Sequence, residues 1–392
     1  MCKKKILMIH NFYQISGGED TVFKNEVEML RKNGHEVIEY TCSNDELKES
    51  KIKLLLLPFT TIWSWKTYRE IKRIIKKQNI DIVHCHNTFP MISPSVYYAA
   101  WNQKIPVVQT IHNFRFLCPC GTFYRDGKIC EECRIKGTFK PALKNKCYRN
   151  SMVQTLVVSM MLSIHRKLGT YKRVNYIFLT EFNKQRFNQL IDINRENVFV
   201  KPNFVKKPVE LKFPSKISTS LSFVFAGRLE ESKGIKYLLE QWKKMPENYQ
   251  LHIYGEGSLA QLVKEKIQDS NNIQYLGVQP QNIIFEDILR SKAVLITSEC
   301  YETFGMLIAE SFSLATPVVC TDLGNPKLMI EESNGGITYK IDDDNSFCEA
   351  IQEVVVNNEL YKNNAFAYYE EKLSDEKNYT RLSEIYDKVK LI

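Results

Sequence analysis

Short apolar runs alternate with longer amphipathic segments along nearly the whole chain, and that alternation leaves few folds open. KILMIH, HEVIEY, IDIVHCH and PVVQTIH read as strands in the first half, and LSFVFAG, YQLHIYG, NIQYLG, AVLITS and TPVVCT in the second. Between them, Glu19 to Asn33 places Phe23, Val27 and Leu30 at helical spacing, and Ile235 to Lys244 is amphipathic in the same way. Alternating strands and helices build parallel sheets covered by helices on both faces. With 392 residues the chain can bury two full cores. The proline-punctuated, aperiodic stretch VKPNFVKKPVELKFPSKISTS marks the join, near residues 201–220. The expected fold class is α/β: two Rossmann-like, doubly wound domains over residues 1–205 and 206–375, facing each other across a cleft. A C-terminal helix over 376–392 is placed to pack back on the first domain. Ligands in such domains sit outside the carboxyl ends of the strands, so motifs at strand ends carry the functional argument.

Charge is unevenly distributed. Residues 1–205 hold 33 Lys and Arg against 17 Asp and Glu, a net +16, whereas residues 206–392 hold 21 against 28, a net −7. The first half is the one drawn to an anionic surface. MCKKKILMIHNFY has too short an apolar stretch for a signal peptide, which points to a cytoplasmic protein. MVQTLVVSMMLSI (Met152 to Ile164) is too short to span a bilayer. KTYREIKRIIKKQN (Lys66 to Asn79) sets Tyr68, Ile71, Ile74 and Ile75 on one stripe amid basic residues, and MVQTLVVSMMLSIHRK adds an apolar segment beside further basic ones. Each alone reads as a domain helix with its apolar face inward. Together with the basic half they suggest peripheral attachment to anionic lipid on the inner face of the plasma membrane.

Three strand-end segments carry chemistry. In SGGED, Gly17 and Gly18 precede a helix; paired glycines let a ligand approach the backbone, although most such pairs are only turns. In FVFAGRLEESKGI, Arg228 and Lys233 share the loop after a buried strand, one a planar fork and one a point charge, a natural clamp for a diphosphate. In SECYETFGMLIAESFSLATPVV, Glu302 stands before a helix starting near Phe304 and Gly305, Thr303 is placed to cap it, and Glu310 lies within it. Carboxylates so placed accept hydrogen bonds from polyols; as ordinary charges they would merely be solvated.

At these residues the chain resembles the retaining glycosyltransferases of family 4, the group 1 glycosyltransferases of GT-B fold. The likeness runs from GGED through AGRLEESKG, IYGEGSL and YLG to ETFGMLIAE and TPVV, with the two glutamates seven residues apart. It implies a nucleotide-sugar in the second domain and an acceptor in the first. By that resemblance Arg228 and Lys233 neutralise the donor diphosphate and Glu310 holds the ribose. Glu302 holds the transferred sugar, and the backbone of Phe304, Gly305 and Met306 touches sugar and phosphate. His112, at the end of PVVQTIH, contacts the sugar from across the cleft and steadies the transition state, while Gly17 and Gly18 lie near the phosphates. The chain departs from the family pattern at Phe204, and at Ala315 and Thr316, where glycines are usual.

No acidic pair of DxD type stands at a strand end, since IDDDNS reads as a loop leading into a helix, so no catalytic divalent metal is expected. The resemblance also implies retention of configuration, and its cysteine-bearing variant is similar to enzymes of bacterial surface-polysaccharide assembly, which implies a lipid-linked glycan acceptor. Two other classes compete. A nucleotide-sugar 2-epimerase of similar fold would need no acceptor. A zinc module for nucleic acid would use the basic half, but lacks a finger's histidine pair and a recognition helix, so no nucleic-acid partner is expected.

HNFRFLCPCGTFYRDGKICEEC opens a cysteine-rich insert over 113–150. Cys130 and Cys133 have the short spacing that grips one zinc from a turn, and a cytoplasmic setting disfavours disulfides. Cys118, Cys130, Cys133 and Cys147 are the expected ligands of a structural zinc; the choice of Cys118 over Cys120 rests on the family variant, and unligated loop cysteines are the plain alternative. Asn113 to Arg149 has few large apolar residues, so it is expected to need the metal to order itself.

Overall fold

The computed structural model describes residues 3–14, 17–47, 51–206, 221–343 and 345–392. Most of the expected linker, and Asp344 within IDDDNS, lie outside the described residues. Its strands are β1 (Lys5–Phe12), β2 (Glu36–Ser43), β3 (Ile82–Asn87), β4 (Val107–Ile111), β5 (Tyr124–Arg125), β6 (Lys128–Ile129), β7 (Asn175–Phe178), β8 (Val198–Val200), β9 (Leu221–Ala226), β10 (Tyr249–Tyr254), β11 (Ile273–Gly277), β12 (Ala293–Ile296), β13 (Val318–Thr321) and β14 (Gly336–Tyr339). By its contacts the chain divides into two units. One comprises residues 1–123, 131–203 and 378–392, and the other residues 124–130 and 204–377.

The first unit is built on a parallel sheet of order β2-β1-β3-β4-β7-β8. Ile6, Leu7, Met8 and Ile9 of β1 are all fully buried, as a strand covered on both faces requires. The helix Gly18–Lys32 lays Phe23, Val27 and Leu30 against the sheet, the periodicity read from the sequence. β7 and β8 escaped that reading because NYIF opens on asparagine and VFV is only three residues long. The C-terminal helix Asp375–Lys388 joins this unit from Asn378 onward. Lys4 pairs with Asp387 at 3.0 Å, and Asn175 donates to the carbonyl of Lys390 at 3.0 Å.

Two expectations are corrected in this unit. In the helix Trp65–Gln78, Ile71 and Ile75 are buried and Tyr68 and Ile74 half-buried, so the apolar stripe faces the core, and the basic face and Trp65 meet solvent. The apolar surface left uncovered belongs instead to the preceding helix, Lys51–Ile62, and to its neighbour Met152–Lys167. The cysteine-rich insert, in turn, has a core of its own. Phe114 stacks on Phe123 with ring centroids 4.6 Å apart, Leu117 and Phe139 are buried, and the Arg166 guanidinium lies 4.4 Å from the Phe139 ring. A few aromatics placed face to face bury more surface than the count of apolar residues suggests.

The second unit carries a parallel sheet of order β11-β10-β9-β12-β13-β14, the arrangement of a dinucleotide-type fold. Its core gathers Phe223, Leu238, Trp242, Leu251, Leu295 and Phe347 between sheet and helices. β14 was not read from the sequence: it opens on glycine, which carries no apolar signal. Ala315, one of the departures from the family pattern, sits at φ +53°, the left-handed region that glycine adopts freely, so alanine is strained there. Among the described residues no helix is long and apolar enough to cross a membrane.

Candidate functional site

In the second unit the strand order reverses between β9 and β12, the place where open α/β sheets take their ligands. The loops leaving these two strands are fastened together. The Thr297 hydroxyl donates to the carbonyl of Lys233 at 2.8 Å, and the Glu299 N–H donates to the carbonyl of Ser232 at 3.0 Å. Gly234 permits this approach: it sits at φ +67°, and a Cβ there would fall 1.9 Å from the Thr297 carbonyl oxygen.

The result is an ion pair between the Lys233 ammonium and the Glu302 carboxylate, which also accepts the Ser298 hydroxyl at 2.6 Å. Burial opposes ionisation of Glu302, but the Lys233 charge and the bonds from Lys233 and Ser298 outweigh it, and the carboxyl is held below its ordinary range. The same pairing raises Lys233 against the opposing effect of burial. Arg228 stays exposed, 3.2 Å from Glu230. One cation is thus pre-positioned and a second stands ready in solvent, an arrangement suited to an anionic leaving group.

Glu310 lies half-buried in the helix Met306–Ser313, accepting from Gln281 at 3.2 Å. Burial pushes its carboxyl up to about 7, with the Gln281 bond acting the other way. Thr303 does not cap this helix. Gly305 does, at φ +88° and without a side-chain bond. The Phe304 ring is buried and its carbonyl accepts from Asn325 at 2.5 Å, so this residue offers backbone and not ring to a ligand.

In the first unit Gly17 caps the helix Gly18–Lys32, and Asp20 accepts from the Gly17 N–H at 3.3 Å while holding His10 at 2.7 Å. A side chain built on Gly17 would enter open space, so this glycine is not demanded by neighbouring atoms. His112 follows β4 and is buried beside a cavity of about 40 Å³ lined also by His86, Asn113 and Arg115. Its Nε2 lies 2.9 Å from Nδ1 of His86, whose Nε2 lies 3.2 Å from Glu26. Next to it, Tyr13 and Asn113 donate to Glu19 at 3.0 and 3.4 Å; burial pushes Glu19 up to about 7, opposed by Tyr13 and by the charge of Arg115.

Sequence reasoning passed over Ser298, Gln281, Glu19, Glu26, His86 and Lys201. One signal was available: in IDIVHCH, His84 and His86 are two apart on a strand and share a face. Glu26, His84 and His86 lie within ligand distance of one another. Lys201 already supplies the cation there, its ammonium 2.8 Å from Glu26. Of the cysteines, Cys118 and Cys120 have sulfurs 3.3 Å apart, and Cys133 is buried. The hydrogen bond between the two thiols splits them, holding Cys120 down to about 5 and Cys118 well above the ordinary range.

The family model described as Glycosyltransferase Family 4 matches residues 16–206, and that described as Glycosyl transferases group 1 matches residues 220–357. An uncharacterized glycosyltransferase of Methanocaldococcus jannaschii is 24% identical over 356 residues, 85% of this chain and 84% of that protein. A lipopolysaccharide 1,6-galactosyltransferase of Escherichia coli is 25% identical over 207 residues, 49% of this chain and 57% of its own. The structure of HepE from Anabaena in complex with UDP-glucose superposes with a TM-score of 0.68 at 13% identity, covering 98% of this chain and all of the other. With two parallel-sheet α/β units, this likeness shows the GT-B fold.

Proposed function

Because this chain belongs to the group 1 glycosyltransferases, we propose that it moves a sugar, with retention of configuration, from a nucleoside-diphosphate sugar to a lipid-linked glycan of a surface polysaccharide. The observation that carries the reading is the Lys233–Glu302 pair with Arg228 beside it at the reversal point of the sheet. Transfer passes through an oxocarbenium-like state as the diphosphate departs, so fixed positive charge on the leaving group lowers the barrier most. Arg228 and Lys233 take that role, Glu302 orients the sugar hydroxyls, Glu310 holds the ribose, and His112 bears on the sugar. The backbone at Gly17, Gly18 and Phe304–Met306 lies against the phosphates and sugar. The Anabaena complex with UDP-glucose favours a UDP-sugar donor, and the lipopolysaccharide relative favours an envelope glycan acceptor.

A panel of nucleotide-sugars, read by release of nucleoside diphosphate, is expected to single out one donor whose turnover needs acceptor. A new nucleotide-sugar formed from donor alone would overturn the reading. The same donor gives a pH test. Ribose hydroxyls donate to an ionised Glu310, whose carboxyl stands near 7. Protonation therefore weakens binding, and donor affinity falls as pH drops through about 7, approaching roughly tenfold per unit below it. Glu310→Gln is expected to bind weakly at all pH with a flattened slope, measured by calorimetry; an unchanged slope would exclude Glu310.

We also place the first unit on anionic lipid at the inner face of the plasma membrane. Ile52, Leu55 and Phe59 share one face of the helix Lys51–Ile62 and are 71%, 76% and 71% exposed, with Val153 of the neighbouring helix 66% exposed. The next helix presents Lys66, Arg69, Lys72, Arg73, Lys76 and Lys77 to solvent. Apolar insertion flanked by cations is the chemistry of an anionic bilayer surface. Liposome flotation should rise with anionic lipid, fall with salt and be lost in Leu55→Glu with Phe59→Glu; equal recovery on neutral vesicles would count against it.

The cysteine-rich stretch from Cys118 to Cys147 is proposed to hold one structural zinc through four thiolates. The short spacing of Cys130 and Cys133 supports it. Because the insert has its own aromatic core, removing the metal is expected to loosen the stretch and not to unfold the chain. Metal analysis should give about one zinc per chain, lost in Cys130→Ser with Cys133→Ser; fully active wild type without metal would sink the idea.

A further inference from the structure

We propose that a buried chain running from Lys201 through Glu26 and His86 fixes the tautomer of His112, leaving Nδ1 of His112 as a hydrogen-bond acceptor. Lys201 donates to Glu26 Oε2 at 2.8 Å and to Asn378 Oδ1 at 3.0 Å, and Asn378 is itself anchored on the carbonyl of Pro202. Glu26 Oε1 lies 3.2 Å from Nε2 of His86, and Nδ1 of His86 lies 2.9 Å from Nε2 of His112. All four ionisable members are buried.

The direction of the bonds follows from the carboxylate. Glu26 is buried, which opposes ionisation, yet the Lys201 charge and the His86 bond hold it well below the ordinary range. As an anion it only accepts, so His86 must donate from Nε2. A neutral imidazole that donates from one nitrogen accepts at the other, so Nδ1 of His86 accepts the hydrogen bond donated by His112 Nε2–H. Lys201 balances the single charge of Glu26, so the chain is electrically complete with one N–H on each imidazole; a second buried cation would be uncompensated. Burial, then His86 and His10, holds His112 well below its ordinary value, consistent with one proton on that ring. Two further histidines near the chain, His84 and His10, impose no direction on it. His84, 3.4 Å from Glu26, is held by the hydroxyls of Tyr386 and Thr110, either of which donates or accepts, and His10 is engaged by Asp20.

Lys201, Glu26 and His86 are thus positioning residues that act through His112. The tautomer itself is independent of the proposed reaction. Its consequence rests on that reading: an acceptor at Nδ1 takes a hydrogen bond from a sugar hydroxyl, which the opposite tautomer would repel.

The test is nitrogen-15 spectroscopy of the histidine-labelled, donor-free protein. Seven histidines make a spectrum that single substitutions can assign. Wild-type His112 is expected to be protonated at Nε2 alone. In Lys201→Met, Glu26 draws its balancing proton to His86, whose Nδ1–H now donates, and His112 is expected to flip to the Nδ1–H form. Should that variant not fold, Lys201→Met with Glu26→Gln removes both charges; an amide presents oxygen or NH₂ equally well, so His112 is expected to show both tautomers. Turnover should fall on the order of tenfold in the variants with donor KM nearly unchanged, the split expected of a positioning shell. An Nδ1-protonated or mixed His112 in the wild type, or an unchanged His112 in folded variants, overturns the proposal. Correct tautomers in a protein without transferase activity would instead refute only the functional reading.

Discussion

Lys233→Ala is expected to lower turnover by roughly two to three orders of magnitude with donor saturating, the loss of about 2.7–4 kcal/mol of transition-state stabilisation that follows removal of one well-placed donor. Its ammonium is the only partner among the described residues that forms an ion pair with Glu302, so the variant also leaves that carboxylate without its cation. Arg228→Ala is expected to cost turnover as well, but less, because its side chain is exposed and screened until donor arrives. Both side chains stand at the surface or only partly covered, so melting temperatures should stay near wild type. Single-turnover kinetics with saturating donor checks this, and near wild-type rates in both variants would remove the clamp.

Gly234→Ala is expected to destabilise the second unit by about 3 kcal/mol, combining roughly 1–2 kcal/mol for alanine in the left-handed region with an overpacking clash of similar size. The added Cβ would lie 1.9 Å from the carbonyl oxygen and 2.8 Å from the carbonyl carbon of buried Thr297, backbone atoms at the end of β12 that have no room to yield. The same shift pulls Thr297 away from the Lys233 carbonyl and separates Lys233 from Glu302, so donor binding should weaken along with stability. Gly227→Ala is the contrast. Its φ is not in the left-handed region and a Cβ there meets nothing within 4 Å, so stability should change little. Thermal melting with donor titration separates the two, and a Gly234→Ala protein that melts like wild type would show that the loops can part without cost.

Much of the fold was legible because burial is periodic. β1, β9 and β12 are covered on both faces, so each announces itself by an apolar run. The strands that went unread, β5, β6, β7, β8 and β14, are short or begin with residues that carry no such signal. Arg228, Lys233 and Glu302 could be singled out for a different reason: each lies in a loop that follows a strand that could be read, whereas Glu310 lies further on, within the helix Met306–Ser313. The apolar stripe of Trp65–Gln78 misled because amphipathicity reports that a face is apolar, not what covers it. The helix Ser95–Trp101 packs against that helix, and the helix before it is left bare.

By itself, then, the sequence determined the two parallel sheets and the strand ends at which charged residues gather, since both depend on neighbours along the chain. Only the tertiary structure decided which of those residues touch. Glu26 and Lys201 are 175 positions apart and His84 and Tyr386 are 302 apart, yet each pair is buried in hydrogen-bonding contact. Nothing local selects such partners. A buried charge is tolerated only where the fold delivers its counter-charge, and that delivery depends on how the helices close over the sheet.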